Sequence, residues 1–341
     1  MRHCQLPIHL KMMFSRSYAL ALLLTLSLTA CGSVSLPSFK SEPEVERNIL
    51  TGLPGANGEV FAVKFDDTKS ARPQKGVESA DVVFITQVEA GLTRLMGIYT
   101  SSYPTEVGPV RSARISDIDI LAQFGRVGFM YSGAQTKMRP VLAAANIVNL
   151  SAERNPPTIY VNDPARNAPY SMMVRMPELI AKSEGVDSVK SVGWSHGEIS
   201  PFAVRIDSVK MTWPNATYEA IWQKKTDRFL LNFNGEPNLG VDGSQLGSPM
   251  MVIQLVEIVP SEFGDKFGGI TPKSKVVGSG VAYLLRDGTM TKATWSRADA
   301  ESPTEWSLPD GSTANFALGQ VWVFLTDREP TFTFPPPPES K

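Results

Sequence analysis

Gly108-Pro109-Val110-Arg111-Ser112-Ala113-Arg114 is the densest run of chemistry-bearing residues in the chain, and it stands directly before a helical pattern beginning at Ser116. Two guanidinium groups leading into a helix N-terminus make an anion site: the planar forks hold the charge, unpaired backbone N–H groups point outward, and the helix dipole adds its share. The same arginines act as structural pins if they pair with Asp117, Asp119 or Glu106. Asp66 and Asp67 end a predicted strand, where carboxylates coordinate a hard cation, act as general acid and base, or cap the following turn. Glu89 and Arg94 flank Ala90-Gly91-Leu92-Thr93, a hairpin or bulge from which they face the Arg111 cleft or form a cross-strand ion pair. The polar, proline-punctuated loop from Asn162 to Tyr170 carries Arg166 toward the same cleft. Arg94, Arg111, Arg114 and Arg166 are thus the ligand-binding candidates, and Asp66 and Glu89 the catalytic ones.

Other chemistries find little support. Residues 1–30 have the order of an export signal: a basic start (Arg2, Lys11, Arg16), an apolar run from Tyr18 to Ala30, then small residues around Cys31. That run is too short to cross a ~30 Å hydrocarbon core as a permanent helix. Leu28-Thr29-Ala30-Cys31 is similar to the bacterial lipobox, whose cysteine is acylated and becomes the mature N-terminus; the plainer alternative is a cleaved secretory signal with an incidental cysteine. Lipid anchoring through Cys31 takes two or more acyl chains, at ~0.8 kcal/mol per buried methylene. It makes membrane lipid the first expected partner and places the protein outside the cytoplasmic membrane. The true start is Met1, Met12 or Met13, with no consequence downstream.

Removing residues 1–30 takes away three of the 33 Lys+Arg and none of the 34 Asp+Glu, so the mature chain carries 30 against 34. That balance argues against a nucleic-acid partner. Only Cys4 and Cys31 exist, and only His196 survives among the 3 histidines, so no disulfide framework, thiol nucleophile or multi-histidine zinc site is expected, and no metal or cofactor. Ser195-His196-Gly197-Glu198 lacks a Gly-x-Ser-x-Gly elbow and reads as an exposed loop between two domains. Gly278-Ser279-Gly280 precedes a strand rather than a helix, outside the context of a dinucleotide site.

The elements that must position these groups change character along the chain. Residues 31–49 read as a flexible tether and 329–341, with Pro335 to Pro338, as a disordered proline-rich tail. In 50–195, strands at Val60–Phe65, Asp81–Thr86, Leu95–Thr100 and Val127–Tyr131 mix with helices at Ser116–Phe124, Pro140–Ala145 and Pro177–Glu184. Ser116 with Asp119 fits a capping box. In 196–328 the texture is of hairpins, with strands at Ala203–Trp213, Tyr218–Gln223, Arg228–Phe233, Met250–Val259, Gly280–Leu285, Thr291–Ser296 and Val321–Thr326. The expected class is α+β: an N-terminal α/β part with a mixed sheet, then a mostly antiparallel, β-rich part. All six tryptophans lie after residue 190, as core aromatics or as sugar-stacking platforms.

Ala71-Arg72-Pro73-Gln74 with Gly76-Val77, Ala80-Asp81-Val82-Val83, the run Val88 to Arg94, and Val107-Gly108-Pro109-Val110-Arg111-Ser112-Ala113-Arg114 occur in this order. Together with Thr51 to Pro54, the loop Asp163 to Pro169, Trp295-Ser296-Arg297 and Gly319 to Trp322, they resemble the YerB-like bacterial lipoprotein family over roughly 50–326. The resemblance implies an exported lipoprotein with an α/β N-terminal and a β-rich C-terminal part, and brings no established activity. Two departures stand out: Tyr170 replaces a histidine common in relatives, and Tyr131-Ser132-Gly133-Ala134-Gln135 lacks the histidine often found there. The arginine and acidic positions keep the family's residue types.

The expectation is a cell-envelope lipoprotein that holds an anionic ligand, a glycopolymer fragment or a partner's acidic segment, through Arg94, Arg111, Arg114 and Arg166. Two alternatives stay open. One is a hydrolase or transferase acting on phosphodiester or glycosidic bonds with Asp66 or Glu89 as acid or base. The other is an adaptor between envelope proteins with no small-molecule site.

Overall fold

Three strands, β1 (Phe61–Asp66), β2 (Val82–Gln87) and β3 (Thr93–Tyr99), are buried along almost their whole length in the computed structural model, which describes residues 45–265 and 268–336. Such continuous apolar strands need both sheet faces covered. On one face Ala62, Val82, Phe84, Met96 and Ile98 pack against α1 (Ile115–Ala122) through Ile120, Leu121 and Phe124. On the other, Phe61, Val63, Val83, Ile85 and Leu95 meet a second sheet. The export segment and Cys31 lie outside the described residues, as does most of the tether.

The sheet is mixed. β1 pairs antiparallel with β3 and parallel with β4 (Val127–Met130), which pairs parallel with β5 (Ile147–Asn149) at one edge. Beyond β2 the sheet continues into the C-terminal sequence: Val321–Thr326 lies between β2 and Met250–Leu255, parallel to both. Gly278–Arg286, Thr289–Arg297 and Glu305–Ser307 continue it antiparallel, and Val204–Arg205 pairs antiparallel with Thr289–Arg297 as the eleventh strand. Residues on both sides of 195/196 therefore share one eleven-stranded sheet, and every residue of Val321–Thr326 is buried where they meet. The sequence division near 195 is not a division of the sheet.

The second, six-stranded sheet runs Glu236–Pro237, Arg228–Phe233, Ala216–Gln223, Ser208–Trp213, Thr331–Thr333, with Gly247–Ser248 beside Arg228–Phe233. Val209, Met211 and Trp213 alternate inward, and the Trp213 indole N–H donates to Leu325 O at 2.9 Å, binding one sheet to the other. Trp213, Trp295, Trp306 and Trp322 are core residues, Trp194 is nearly so and Trp222 is half-buried, which leaves no exposed stacking platform among them. At the hairpin Arg286–Thr289, Asp287 (φ 52) and Gly288 (φ 68) take the left-handed pair of conformations that a two-residue turn needs.

Several local expectations shift. Helix α3 spans only Met176–Ile180, and α2 spans Arg139–Ala144. The tether ends earlier than 49, since Asn48 is buried and its amide donates to Ala56 O and Thr100 Oγ1, both at 2.8 Å. The tail begins later than 329, because Thr331–Thr333 pairs with Ser208–Lys210 as an edge strand. His196 is half-buried in a two-residue strand paired with Asn315–Phe316, not in an exposed loop, and burial holds its imidazole below the usual value.

The N-terminal cap of α1 also differs. The helix starts from Arg114, whose backbone N–H donates to Asp117 Oδ2 (2.7 Å) while the Asp117 N–H donates to Arg114 O (3.0 Å). Ser116 instead accepts the Ser274 N–H (2.9 Å) from the hairpin Ile258–Ser274. Asp117 turns inward because Lys64, in the middle of β1, is wholly buried and donates to Asp117 Oδ1 at 2.6 Å and to Thr86 Oγ1 at 3.1 Å. Burial pushes the Lys64 ammonium below its usual value, against the pull of Asp117.

Removing one member of such a pair strands the other charge. Lys64→Met is therefore expected to lower unfolding free energy by about 3–5 kcal/mol, read as a fall in the urea midpoint. The double change with Asp117→Asn should recover part of that loss, whereas a single-variant loss below about 1 kcal/mol would show the pair to be dispensable.

Candidate functional site

The segment after β1's neighbour strands is laid down as an extra extended stretch. Asp66 N–H donates to Pro109 O (2.9 Å), Arg111 N–H to Lys64 O (2.8 Å), Ser132 N–H to Arg111 O (3.0 Å) and Ala113 N–H to Gly133 O (3.0 Å). Held from both sides, Arg111 to Arg114 form one wall of a cleft of about 640 Å³. Asp66, Glu89, Arg94, Arg111 and Arg114 all line it, so five of the six candidate residues converge. The remaining walls come from Val88 to Thr93, from Gly133 to Thr136 with Met138, and from Phe263, Gly264 and Thr271 of the Ile258–Ser274 hairpin.

Partners differ from group to group. Arg111 Nε lies 2.5 Å from Asp66 Oδ2 in an ion pair, and its guanidinium sits over the Tyr170 ring, 5.8 Å from the centroid. Asp66 Oδ1 accepts from the Thr68 N–H (2.8 Å) and Thr68 hydroxyl (2.5 Å), so this carboxylate also caps the turn after β1. Arg114 Nε faces both oxygens of Glu89 at 2.7 and 2.9 Å, and Glu89 Oε1 accepts the Thr271 hydroxyl as well. Burial alone would raise the Glu89 carboxyl, but Arg114 and Thr271 outweigh it and hold the group below the usual value.

Arg94 is the exception. It lies opposite Asp66 in the β1–β3 register, yet Asp66 is taken by Arg111 and Thr68. Arg94 donates Nη1–H to Ser112 O (2.9 Å) and, among the described residues, touches no carboxylate. Burial first, then the nearby Arg114 and Arg111, push its guanidinium down to about 9. Glu89 and Asp66 pull the other way without offsetting that push.

Two expectations fail here. Arg166 does not line the cleft: it pairs with Asp163 (3.0 Å) and donates to Ala71 O (2.9 Å) and Pro73 O (2.5 Å), pinning one loop to another. The α1 N-terminus is not the fully open anion cradle expected either: Asp117 accepts the Arg114 N–H and gives its own N–H to Arg114 O. Asp67, next to Asp66, turns away to accept from Arg72 (2.5 Å), Tyr218 (2.8 Å) and Thr93 (2.5 Å) beneath the second sheet. Among the described residues no group of three or more His, Cys, Asp or Glu side chains could hold a metal ion. Sequence reasoning missed Lys64, Asp117 as the cap, and Thr271. A lysine inside the otherwise apolar run Phe61 to Phe65 was the available signal.

An α+β protein with two sequence-defined parts sharing a mixed sheet, and an arginine-lined cleft walled by both, is the class this geometry defines. The chain belongs to the family described as protein of unknown function (DUF3048), whose N-terminal domain matches residues 50–188 and whose C-terminal domain matches 208–323. YerB of Bacillus subtilis (strain 168), named as a lipoprotein, is 45% identical over 88 residues, which is 24% of this chain and 27% of that protein. The match thus spans about a quarter of that relative's length. A crystal structure of YerB protein from Bacillus subtilis shares the fold at a TM-score of 0.70, covering 84% of this chain and 99% of that one at 18% identity.

The lowered Glu89 carboxyl has a stability consequence. A folded-state value depressed below the ordinary 4.5 means that ionised Glu89 stabilises the fold at pH well above 4.5, and that this contribution is lost as pH falls through the depressed value. The stability gap between wild type and Glu89→Gln should be constant near neutrality and close under acid, as followed by urea unfolding over a pH series. A gap that widens on acidification would contradict the assignment.

Proposed function

We propose that this chain is a lipid-anchored cell-envelope protein that binds an anionic ligand in the Arg94 cleft. Support for the location comes from the lipobox-like Leu28-Thr29-Ala30-Cys31 and from a relative named as a lipoprotein. Among the described residues no helix is long and apolar enough to cross a membrane. The anchor in this proposal is acylated Cys31, and the ligand is a phosphate- or carboxylate-bearing glycopolymer fragment or the acidic segment of an envelope protein.

The observation that carries the proposal is Arg94: a nearly buried guanidinium that lines an open cleft and has no carboxylate partner among the described residues. A buried cation without a counter-charge is costly unless an anion joins it. Catalysis by Asp66 or Glu89 has less support. Each already accepts three hydrogen-bond or ion-pair contacts, and Glu89, held below its usual value, is a poor proton donor at neutral pH.

Isothermal titration of polyglycerol phosphate and of polygalacturonate into the exported, unacylated chain tests this. Loss of one charge-assisted contact corresponds to about 1.5–3 kcal/mol, so Arg94→Gln should weaken binding roughly 10- to 100-fold. Arg111→Ala should weaken it several-fold, added salt should do the same, and Arg166→Ala should bind like wild type. Wild-type affinity in Arg94→Gln would refute the assignment, and turnover of either polymer that Asp66→Asn abolishes would favour the hydrolase instead.

A further inference from the structure

Charge around Arg94 is unevenly matched. Arg111 stands against Asp66 and Arg114 against Glu89, and both carboxylates are buried, with side chains 2% and 8% exposed. Lys64 beneath them is matched by Asp117. At the rim, Glu153 pairs with Arg139 at 2.8 Å, and Asp265 accepts the Gly269 N–H at 2.8 Å within its own hairpin. Arg94 supplies the one positive charge in the cleft's interior that, among the described residues, meets no carboxylate.

Resting on the anion-binding proposal, we infer that the cleft accepts an oxyanion of single negative charge, a phosphodiester or a carboxylate, and discriminates against a dianionic phosphomonoester. One negative charge neutralises Arg94 and leaves both neighbouring pairs intact. A second charge on the same group has no cation of its own. It can recruit Arg111 or Arg114 only by drawing that arginine off Asp66 or Glu89, and the abandoned carboxylate is then buried and unpaired. If neither pair opens, the second charge lies beside two carboxylates that repel it.

The walls fit the same class. Val88, Leu92, Met138 and Phe263 line the cleft beside the guanidinium groups, and about 640 Å³ holds far more than a bare oxyanion. The organic substituent of an ester or a carboxylate has apolar surface to lie against, whereas free phosphate would leave it unused.

The test is a ligand-observed NMR titration of the exported chain with dimethyl phosphate, acetate and methyl phosphate at about pH 7.5, where a phosphomonoester with a second pKa near 6 is dianionic. Dimethyl phosphate or acetate should bind at least tenfold more tightly than methyl phosphate, a difference of about 1.4 kcal/mol. The tighter of the two tells phosphodiester from carboxylate. Glu89→Gln keeps the side chain's shape, frees Arg114 and adds one net positive charge, so it should narrow or invert the preference. Asp66→Asn does the same at Arg111 should the first variant fold poorly. Methyl phosphate binding as tightly as dimethyl phosphate to wild type, or a preference unmoved in both variants, overturns the single-charge inference and leaves the anion site standing. Arg94→Gln binding every probe like wild type overturns both.

Discussion

The buried ion pair between Lys64 and Asp117 is the constraint on which the cleft depends. It joins the middle of β1 to the first turn of α1 with both side chains out of water. Asp117 also accepts the backbone N–H of Arg114, so one carboxylate fixes where the helix begins and where the arginine loop ends. Two requirements are met by the same residue: the lysine needs a counter-charge in a dry layer, and the helix needs an acceptor at its N-terminus. Arg111 is tied to the same place through its amide on Lys64 O. The cleft thus stands on the packed centre of the main sheet rather than on a free loop.

From that anchoring follows the order in which the remaining charges are satisfied. Asp66 is drawn to Thr68 and Arg111 and so is withheld from Arg94, its direct neighbour across the β1–β3 ladder. Glu89 reaches Arg114 and Thr271, which joins an N-terminal turn to the C-terminal hairpin at the cleft wall. Both carboxylates therefore act as counter-charges. Each already takes three contacts from protein groups, whereas a general acid or base must keep an oxygen for the substrate. The arrangement is preorganised for holding charge in place.

Much of this was legible in the residues, for identifiable reasons. Arg228–Phe233 and Val321–Thr326 were readable to the residue because strong β-formers fill them and turn residues bound them. The arginine run and the acidic neighbours pointed to one place, and five of the six residues meet there. What the chain could not disclose is long-range pairing. Nothing local in Val321–Thr326 says that it will lie parallel to β2, more than two hundred residues earlier, and so fuse the two sequence domains into one sheet. Ser116 with Asp119 reads as the helix cap on paper because serine is a favoured N-cap residue, whereas the helix begins at Arg114 with Asp117. Buried Lys64 decides between them, and its position is a tertiary fact. Arg166 was misplaced for the same reason: its partners are carbonyls about ninety residues away.

Tyr170 gives the last step. This chain presents a phenol ring to Arg111, near the outer limit for a cation–π contact. An aromatic face steadies a guanidinium without exchanging a proton near neutral pH. Gly133 to Gln135 likewise bring an amide and no imidazole to the cleft side. Neither wall carries the side chain best suited to proton transfer at physiological pH. The cleft walls thus offer guanidinium groups and no imidazole, so chemistry that needs an imidazole at either position has no residue to perform it.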